Sequence, residues 1–176
     1  MTPANDRADQ WPAEFTLTRV FDAPRDLVFR IWTDPKYVAL WWGIEGATNP
    51  RCELDVRPGG RWRIDMRTAG GTVYQNGGVY LEVVANTRLV STDVSDPASP
   101  AWQGSPPGDR LNTVTFEDHR EGTRVTLTVQ FKSLADRDLF VRAGVKEGIA
   151  QSLDRFARVL KTLAQSKPAN RGGRNG

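Results

Sequence analysis

The stretch LADRDLFVRAGVKEGIAQSLDRFARVLKTLAQ, Leu134 to Gln165, decides the fold. Ile149, Leu153, Phe156, Leu160 and Leu163 recur at alternating steps of four and three, which sets them along one face of an α-helix that must be buried. The opposite face carries Arg142, Lys146, Asp154, Arg158 and Lys161. Asp154 stands four residues before Arg158, the favourable order for a weak surface pair. Read as one rod, roughly 30 residues at ~1.5 Å each reach about 45 Å, enough to cross a whole sheet. Ser133 with Asp136 three residues later predicts the cap from which the rod starts.

Upstream, the period of two dominates. EFTLTRVFD, from Glu14, places Phe15, Leu17 and Phe21 on one side of a strand interrupted by Arg19. The period then changes: APRDLVFRIWTDP gives Leu27, Val28, Ile31 and Trp32 one helical face behind Pro24 and ends at Thr33-Asp34-Pro35. Asp34 and Pro35 cap a second short helix, KYVALWW, closed by Gly43. RCELDV and RWRIDMR alternate cleanly around the turn Pro58-Gly59-Gly60, as strands of a sheet with one wet face do. TVYQNGGVYLEVVA is a long strand whose Asn76-Gly77-Gly78 predicts a bulge or sharp bend, the device a sheet needs to curl around a helix. RLVSTDVS follows, and then NTVTFEDH and TRVTLTVQFK about a turn at Arg120-Glu121-Gly122. Between these strands DPASPAWQGSPPGDR is too rich in Pro and Gly for regular structure. Trp102 in it either folds back as a lid or sits as a loosely packed surface aromatic.

Ala23-Pro24, Trp32 to Pro35, Trp41 to Gly43 and Pro58 to Trp62 occur in an order that resembles the Hsp90 ATPase activator homologue branch of the START-like, or helix-grip, superfamily. The resemblance covers roughly Phe15 to Leu163. It implies an α+β helix-grip fold: a curved antiparallel β-sheet wrapped around a long C-terminal helix, with two short helices after the first strand and an apolar cavity enclosed. Residues 14 to 165 then form a single domain between a flexible lead-in, 1 to 13, and a disordered basic tail, 166 to 176. Where many relatives have Gly-Trp in the final helix, this chain has Gly148-Ile149.

Gly144, Gly148 and Ser152 stand four apart beside the apolar stripe of the helix. They serve either close backbone packing or room for a ligand, and the resemblance favours room. Trp41, Trp62, Ile64, Met66, Phe116 and Leu127 are the expected wall residues, with Gly148 and Ser152 contributed by the helix. Adjacent helical residues point about 100° apart, so Trp41 takes the interior and Trp42 the rim. Gln75 is the polar residue expected inside if no bulge intervenes; a reversed register puts Tyr74, Asn76, Tyr80 and Glu82 there instead.

The 24 bases exceed the 21 acids by three. Lys167, Arg171 and Arg174 fall in an acid-free terminal segment, so the body is formally neutral and a nucleic-acid partner is not expected. The N-terminus has no signal-like apolar run and no segment approaches about 18 uninterrupted apolar residues, which predicts a cytoplasmic protein without a membrane partner. The single Cys52 reads as a buried strand residue. His119 lies at a hairpin, and no metal, thiol, acyl-serine or phosphate-cradling motif is present, so no catalytic residue, metal or cofactor is assigned. The expected function is therefore the binding of a small apolar or amphipathic molecule between sheet and final helix. A cyclase or aromatase using Glu82 and Asp93 is the alternative. An Hsp90 co-chaperone ranks below both, because the eukaryotic members carry a separate N-terminal domain where this chain has about 14 residues. A homodimer is left open.

Overall fold

The computed structural model describes residues 10–94, 96 and 108–166. The greater part of the lead-in, most of the Pro/Gly-rich loop with Trp102, and the basic tail beyond Ser166 lie outside the described residues. Seven strands, β1 (Ala13–Phe21), β2 (Thr48–Leu54), β3 (Arg61–Arg67), β4 (Val73–Val84), β5 (Arg88–Asp93), β6 (Arg110–His119) and β7 (Gly122–Phe131), form one antiparallel sheet in the order β1-β7-β6-β5-β4-β3-β2. Among the described residues four helices accompany it: α1 (Arg25–Thr33), α2 (Pro35–Trp41), α3 (Leu134–Arg142) and α4 (Val145–Gln165). The architecture is the α+β helix-grip arrangement, with the two short helices after the first strand and the long helix last.

The capping chemistry follows the sequence. Asp34 Oδ1 accepts from Lys36 N at 3.0 Å ahead of Pro35 in the first turn of α2. Ser133 Oγ accepts from Asp136 N at 3.1 Å and donates to Asp136 Oδ2 at 2.8 Å, closing the start of α3. The single rod, however, is two helices. Ala143 ends α3, and Gly144 adopts φ +78 before Val145 starts α4. A left-handed residue cannot continue an α-helix, and glycine takes that conformation without steric cost. The apolar stripe belongs to α4, which buries Leu153, Phe156 and Leu160, with Ile149 and Leu163 packed at its margins.

Phe156 is the centre of the grip: its ring lies 4.7 Å from Phe21 of β1, 5.4 Å from Trp32 of α1 and 5.1 Å from Trp41 of α2. Side chains from three elements thus meet on one residue of a fourth, which fixes α4 against both the sheet and the helical pair. On its outer face the expected Asp154–Arg158 pair does not form. Asp154 Oδ1 instead meets Arg19 Nη1 of β1 at 2.7 Å, and Arg158 pairs with Glu45 in the loop after α2. Arg19, the polar interruption of β1, is therefore a tie between strand and helix.

Strand β4 carries the inner face of the sheet on its even-numbered positions. Met66 pairs with Tyr74, Ile64 with Asn76 and Trp62 with Gly78, in unbroken register. Asn76-Gly77-Gly78 consequently holds no bulge. The register shift falls later, between Tyr80 and Glu82 against β5, which makes Leu81 the extra residue. Gly78 has another role: a Cβ there would lie 1.9 Å from Thr92 O and 2.7 Å from Trp62 Nε1. The Trp62 indole crosses this bare backbone and donates to Thr92 O on β5 at 3.1 Å. No helix among the described residues is long and apolar enough to cross a membrane.

Candidate functional site

Between the inner face of the sheet and helix α4 lies a hollow of about 390 Å³. The Trp-Trp-Gly turn forms one side of it. Trp41 is anchored by its indole, which donates to Ile31 O at 3.1 Å. Trp42 is already the C-terminal cap of α2, with φ -60 and ψ 135, so the 100° helical step does not apply to it. Both rings reach the hollow, and Trp42 continues to Trp62 at 5.8 Å. Trp32 completes the set, so among the described residues four tryptophans line one space.

The turn is bolted to α4 by two residues. Ser152 Oγ accepts from Gly43 N at 3.0 Å and lies within hydrogen-bond distance of Gly43 O and Gly148 O, each at 3.1 Å. Arg155 reaches five carbonyls: Nη1 donates to those of Trp42, Gly43 and Ile44 at 3.0, 3.2 and 2.8 Å, and Nη2 to those of Leu40 and Ala47 at 3.0 and 2.9 Å. A guanidinium has five donors in a planar fork and no acceptor, so it suits the orphan carbonyls at a helix end. Burial lowers the pKa of Arg155 from its ordinary value, with Glu45 opposing that trend. Gly148 is both wall and contact: a Cβ there would come within 3.3 Å of Ile44 Cγ2. Close packing and the hollow thus meet at the same glycine.

Of the residues expected from the sequence, Trp41, Trp62, Ile64, Met66, Leu127, Gly148 and Ser152 line the hollow together. Phe116 does not. It faces inward from β6 but lies beneath α1, with Phe29 at 5.2 Å and Trp32 at 5.8 Å edge-on to it. Gln75 is also excluded: it sits opposite Asp65 on the outer face, exposed, with its N–H donating to Asp96 Oδ2 at 3.1 Å. Tyr74, Asn76 and Tyr80 take the inner positions of β4. The bulge at Leu81 then reverses the alternation, so Val83 turns inward while Glu82 stays half-exposed beside Arg88. Burial pushes the Tyr80 phenol pKa up, so the group remains protonated at neutral pH.

The polar part of the lining lies where β5 ends and β6 begins. Arg110 Nη2 stands 2.9 Å from Asp93 Oδ1, with side-chain exposures of 4% and 14%. Asn112 Nδ2 donates to Asp93 Oδ2 at 3.2 Å, and the Arg110 guanidinium stacks 4.7 Å over the Phe140 ring of α3. Arg110 and Asn112 are in phase with Val114 and Phe116, so extending the alternation of NTVTFEDH backward by two residues was the signal that locates them. Arg155 had no such signal, since one arginine on a helix reads as a solvated residue. His119 lies in the β6–β7 turn, its Nδ1 accepting from Glu121 N at 3.2 Å. Cys52 is half-buried, and burial raises its thiol pKa to about 11. Among the described residues no three of His, Cys, Asp and Glu gather where they could hold a metal ion.

The fold recurs among known structures. A protein from Nitrosomonas europaea is 25% identical, with a TM-score of 0.74 over 86% of this chain and 96% of its own. One from Chromobacterium violaceum is 27% identical, with a TM-score of 0.69 over 85% and 98%. The AHSA1 protein from Silicibacter pomeroyi is 23% identical, with a TM-score of 0.72 over 86% and 99%. No curated protein matches the chain. The family model described as Activator of Hsp90 ATPase homolog 1-like protein matches residues 22–161, a span that runs from the end of β1 through the α4 face that closes the hollow. By this match, and by the helix-grip fold it shares with these structures, the chain belongs to the Activator of Hsp90 ATPase homolog 1-like family.

Proposed function

We propose that this protein binds a small apolar or amphipathic molecule in the hollow between the sheet and α4. The observation that carries the reading is the wall itself. About 390 Å³ is within the range of small-molecule sites, roughly 300–1,000 Å³. Aromatic and aliphatic side chains make up most of the lining, and polar groups are concentrated at one end. Such a space offers apolar surface to a ligand and a few polar partners to orient it. Proton-transfer chemistry of the cyclase kind has less support. Asp93 faces the hollow, but it is ion-paired with Arg110 and accepts from Asn112 Nδ2 through Oδ2, and Glu82 is on the other face.

Intrinsic tryptophan fluorescence gives the test, because Trp32, Trp41, Trp42 and Trp62 all border the space. The neutral probe N-phenyl-1-naphthylamine should bind saturably and quench that emission by energy transfer. Val145→Trp, on the wall at the first turn of α4, should weaken probe binding at least tenfold while circular dichroism stays unchanged. Unaltered probe affinity in a folded Val145→Trp protein would count against the site. Native mass spectrometry of protein purified from its own host then identifies a co-purified molecule. Family membership motivates a second, independent measurement, the ATPase turnover of a cognate Hsp90 with and without this protein. An increase would add a co-chaperone role of the protein surface.

A further inference from the structure

We infer that the molecule held in the hollow carries a neutral carbonyl oxygen, that of a ketone or an ester, which accepts a hydrogen bond from the Tyr80 hydroxyl. The inference rests on the binding function proposed above and specifies the chemical class of its ligand.

Tyr80 is 7% exposed and lines the hollow from the inner face of β4. Its main chain is clamped by the turn between β2 and β3: Gly59 N donates to Tyr80 O at 2.7 Å, and Tyr80 N donates to Gly60 O at 2.9 Å. The bulge at Leu81 begins at the next residue, and bulges are frequent where a side chain is re-aimed beside a functional site. The Tyr80 hydroxyl hydrogen-bonds to no group among the described residues, and it is not one of the side-chain atoms sealed from solvent without a partner. Its oxygen therefore keeps accessible surface, and on a residue so deeply enclosed that surface belongs to the hollow. Ser91 stands directly opposite on β5 and lines the same space, and its hydroxyl is likewise unsealed and without a partner among the described residues. Polar groups in the interior are nearly always satisfied, so two neighbouring hydroxyls mark where a ligand's polar atom comes to rest.

The chemistry of the pair selects that atom. A carbonyl oxygen has two lone pairs and no hydrogen, so it takes what the hydroxyls donate and leaves nothing of its own unmatched. An alcohol brings a further hydrogen, which must find an acceptor once it has left water. A carboxylate brings a charge. The burial that pushes the Tyr80 phenol pKa up disfavours an anion in the same surroundings, and Arg110 on the wall already stands 2.9 Å from Asp93.

The test uses the full chain and three molecules with an eleven-carbon chain: 2-undecanone, 2-undecanol and undecanoate. Each competes with N-phenyl-1-naphthylamine at pH 7.5. The ketone should displace the probe at a concentration at least fivefold below the other two. Tyr80→Phe removes only the phenol oxygen, and it should weaken the ketone at least fivefold more than it weakens the probe, which has no carbonyl. The infrared carbonyl stretch of bound 2-undecanone, labelled with carbon-13 at that carbon, should lie below its frequency in hexane and return toward it in Tyr80→Phe. The alcohol or undecanoate competing as well as the ketone overturns the inference, as does a stretch that the substitution leaves in place. Should the variant not fold, the wild-type competition and the bound stretch decide. Failure of the probe and of all three compounds to perturb tryptophan emission overturns the binding function itself. Saturable binding with no preference for the ketone overturns only the inference about the carbonyl.

Discussion

Arg155 lies one residue before Phe156, yet its work is done on the opposite element. Its two terminal nitrogens reach five carbonyls contributed by α2 and the loop that leaves it. Truncation to alanine leaves those acceptors to find water or go without, and a hydrogen bond to a charged group contributes about 1.5–3 kcal/mol. Arg155→Ala should therefore lower unfolding free energy by about 2–4 kcal/mol in urea, with the dependence on denaturant unchanged. Arg155→Lys should recover less than half, because an ammonium cannot span the fork. Full recovery by lysine would mean that charge, not geometry, is what the site uses. Cys52 makes the contrasting case. Its thiol is pushed from 9.0 to about 11 by burial, so the thiolate fraction near pH 8 falls about a hundredfold. Reaction with a disulfide reagent at pH 8 should be slower than in the urea-unfolded chain by that order. The sign of the accompanying stability change follows from the proton count. Above pH 9 the unfolded thiol loses its proton while the folded one keeps it. This contribution to stability is complete below pH 9 and is lost as the pH rises toward 11. The inward side of Cys52 was legible from strand alternation, although it is half-buried rather than buried; the role of Arg155 was not, since nothing in a sequence says which carbonyls a helix will face.

At the scale of elements, periodicity located the strands and helices, and failed where one residue changes the phase. The run Leu134 to Gln165 has no proline or polar break, and only the left-handed Gly144 divides it. In the same way, Asn76-Gly77-Gly78 advertised an irregularity that the chain places at Leu81. A bulge needs no special residue, whereas the glycines answer to a neighbour, the Trp62 indole lying across Gly78. Gln75 lies on the outer face although no bulge intervenes at the glycines, because Leu81, the apolar residue in phase with it, is the exposed extra residue of the later bulge. The physical difference is testable. Gly78→Ala forces a Cβ to within 1.9 Å of Thr92 O, a backbone atom that cannot swing away, and to within 2.7 Å of the indole nitrogen. It should cost about 3 kcal/mol or more and shift the Trp62 contribution to the emission spectrum. Gly148→Ala should be much milder, because its nearest neighbour is the terminal Cγ2 of Ile44 at 3.3 Å. Equal costs at the two glycines would mean that both mark flexibility rather than close approach.

For the molecule as a whole, the aromatic residues form a continuous frame rather than a solid centre. Phe21, Phe156, Trp32, Trp41, Trp42 and Trp62 connect in sequence through ring separations of 4.7 to 5.8 Å, joining sheet, helical pair and α4. Each ring in this chain touches the next, so the chain can border an unfilled space, and Phe116 holds α1 rather than lining that space. Aromatic residues were readable as interior from sequence, but whether a given ring supports the wall or faces the hollow depends on what packs behind it. A frame of this kind links ligand binding to global stability. A molecule that binds only the folded chain adds RT ln(1 + [L]/Kd), about 2.7 kcal/mol at a hundredfold excess over Kd. For a chain of this length each kcal/mol raises the unfolding midpoint by about 2–4 °C, so a saturating ligand should raise it by about 5–10 °C. Val145→Trp fills part of the same space with its own side chain, so it should lose most of the ligand-induced rise while keeping a midpoint near that of the parent. Differential scanning calorimetry with 1-decanol from zero to a hundredfold excess measures both. A rise of equal size in the two proteins would place binding somewhere other than beneath α4.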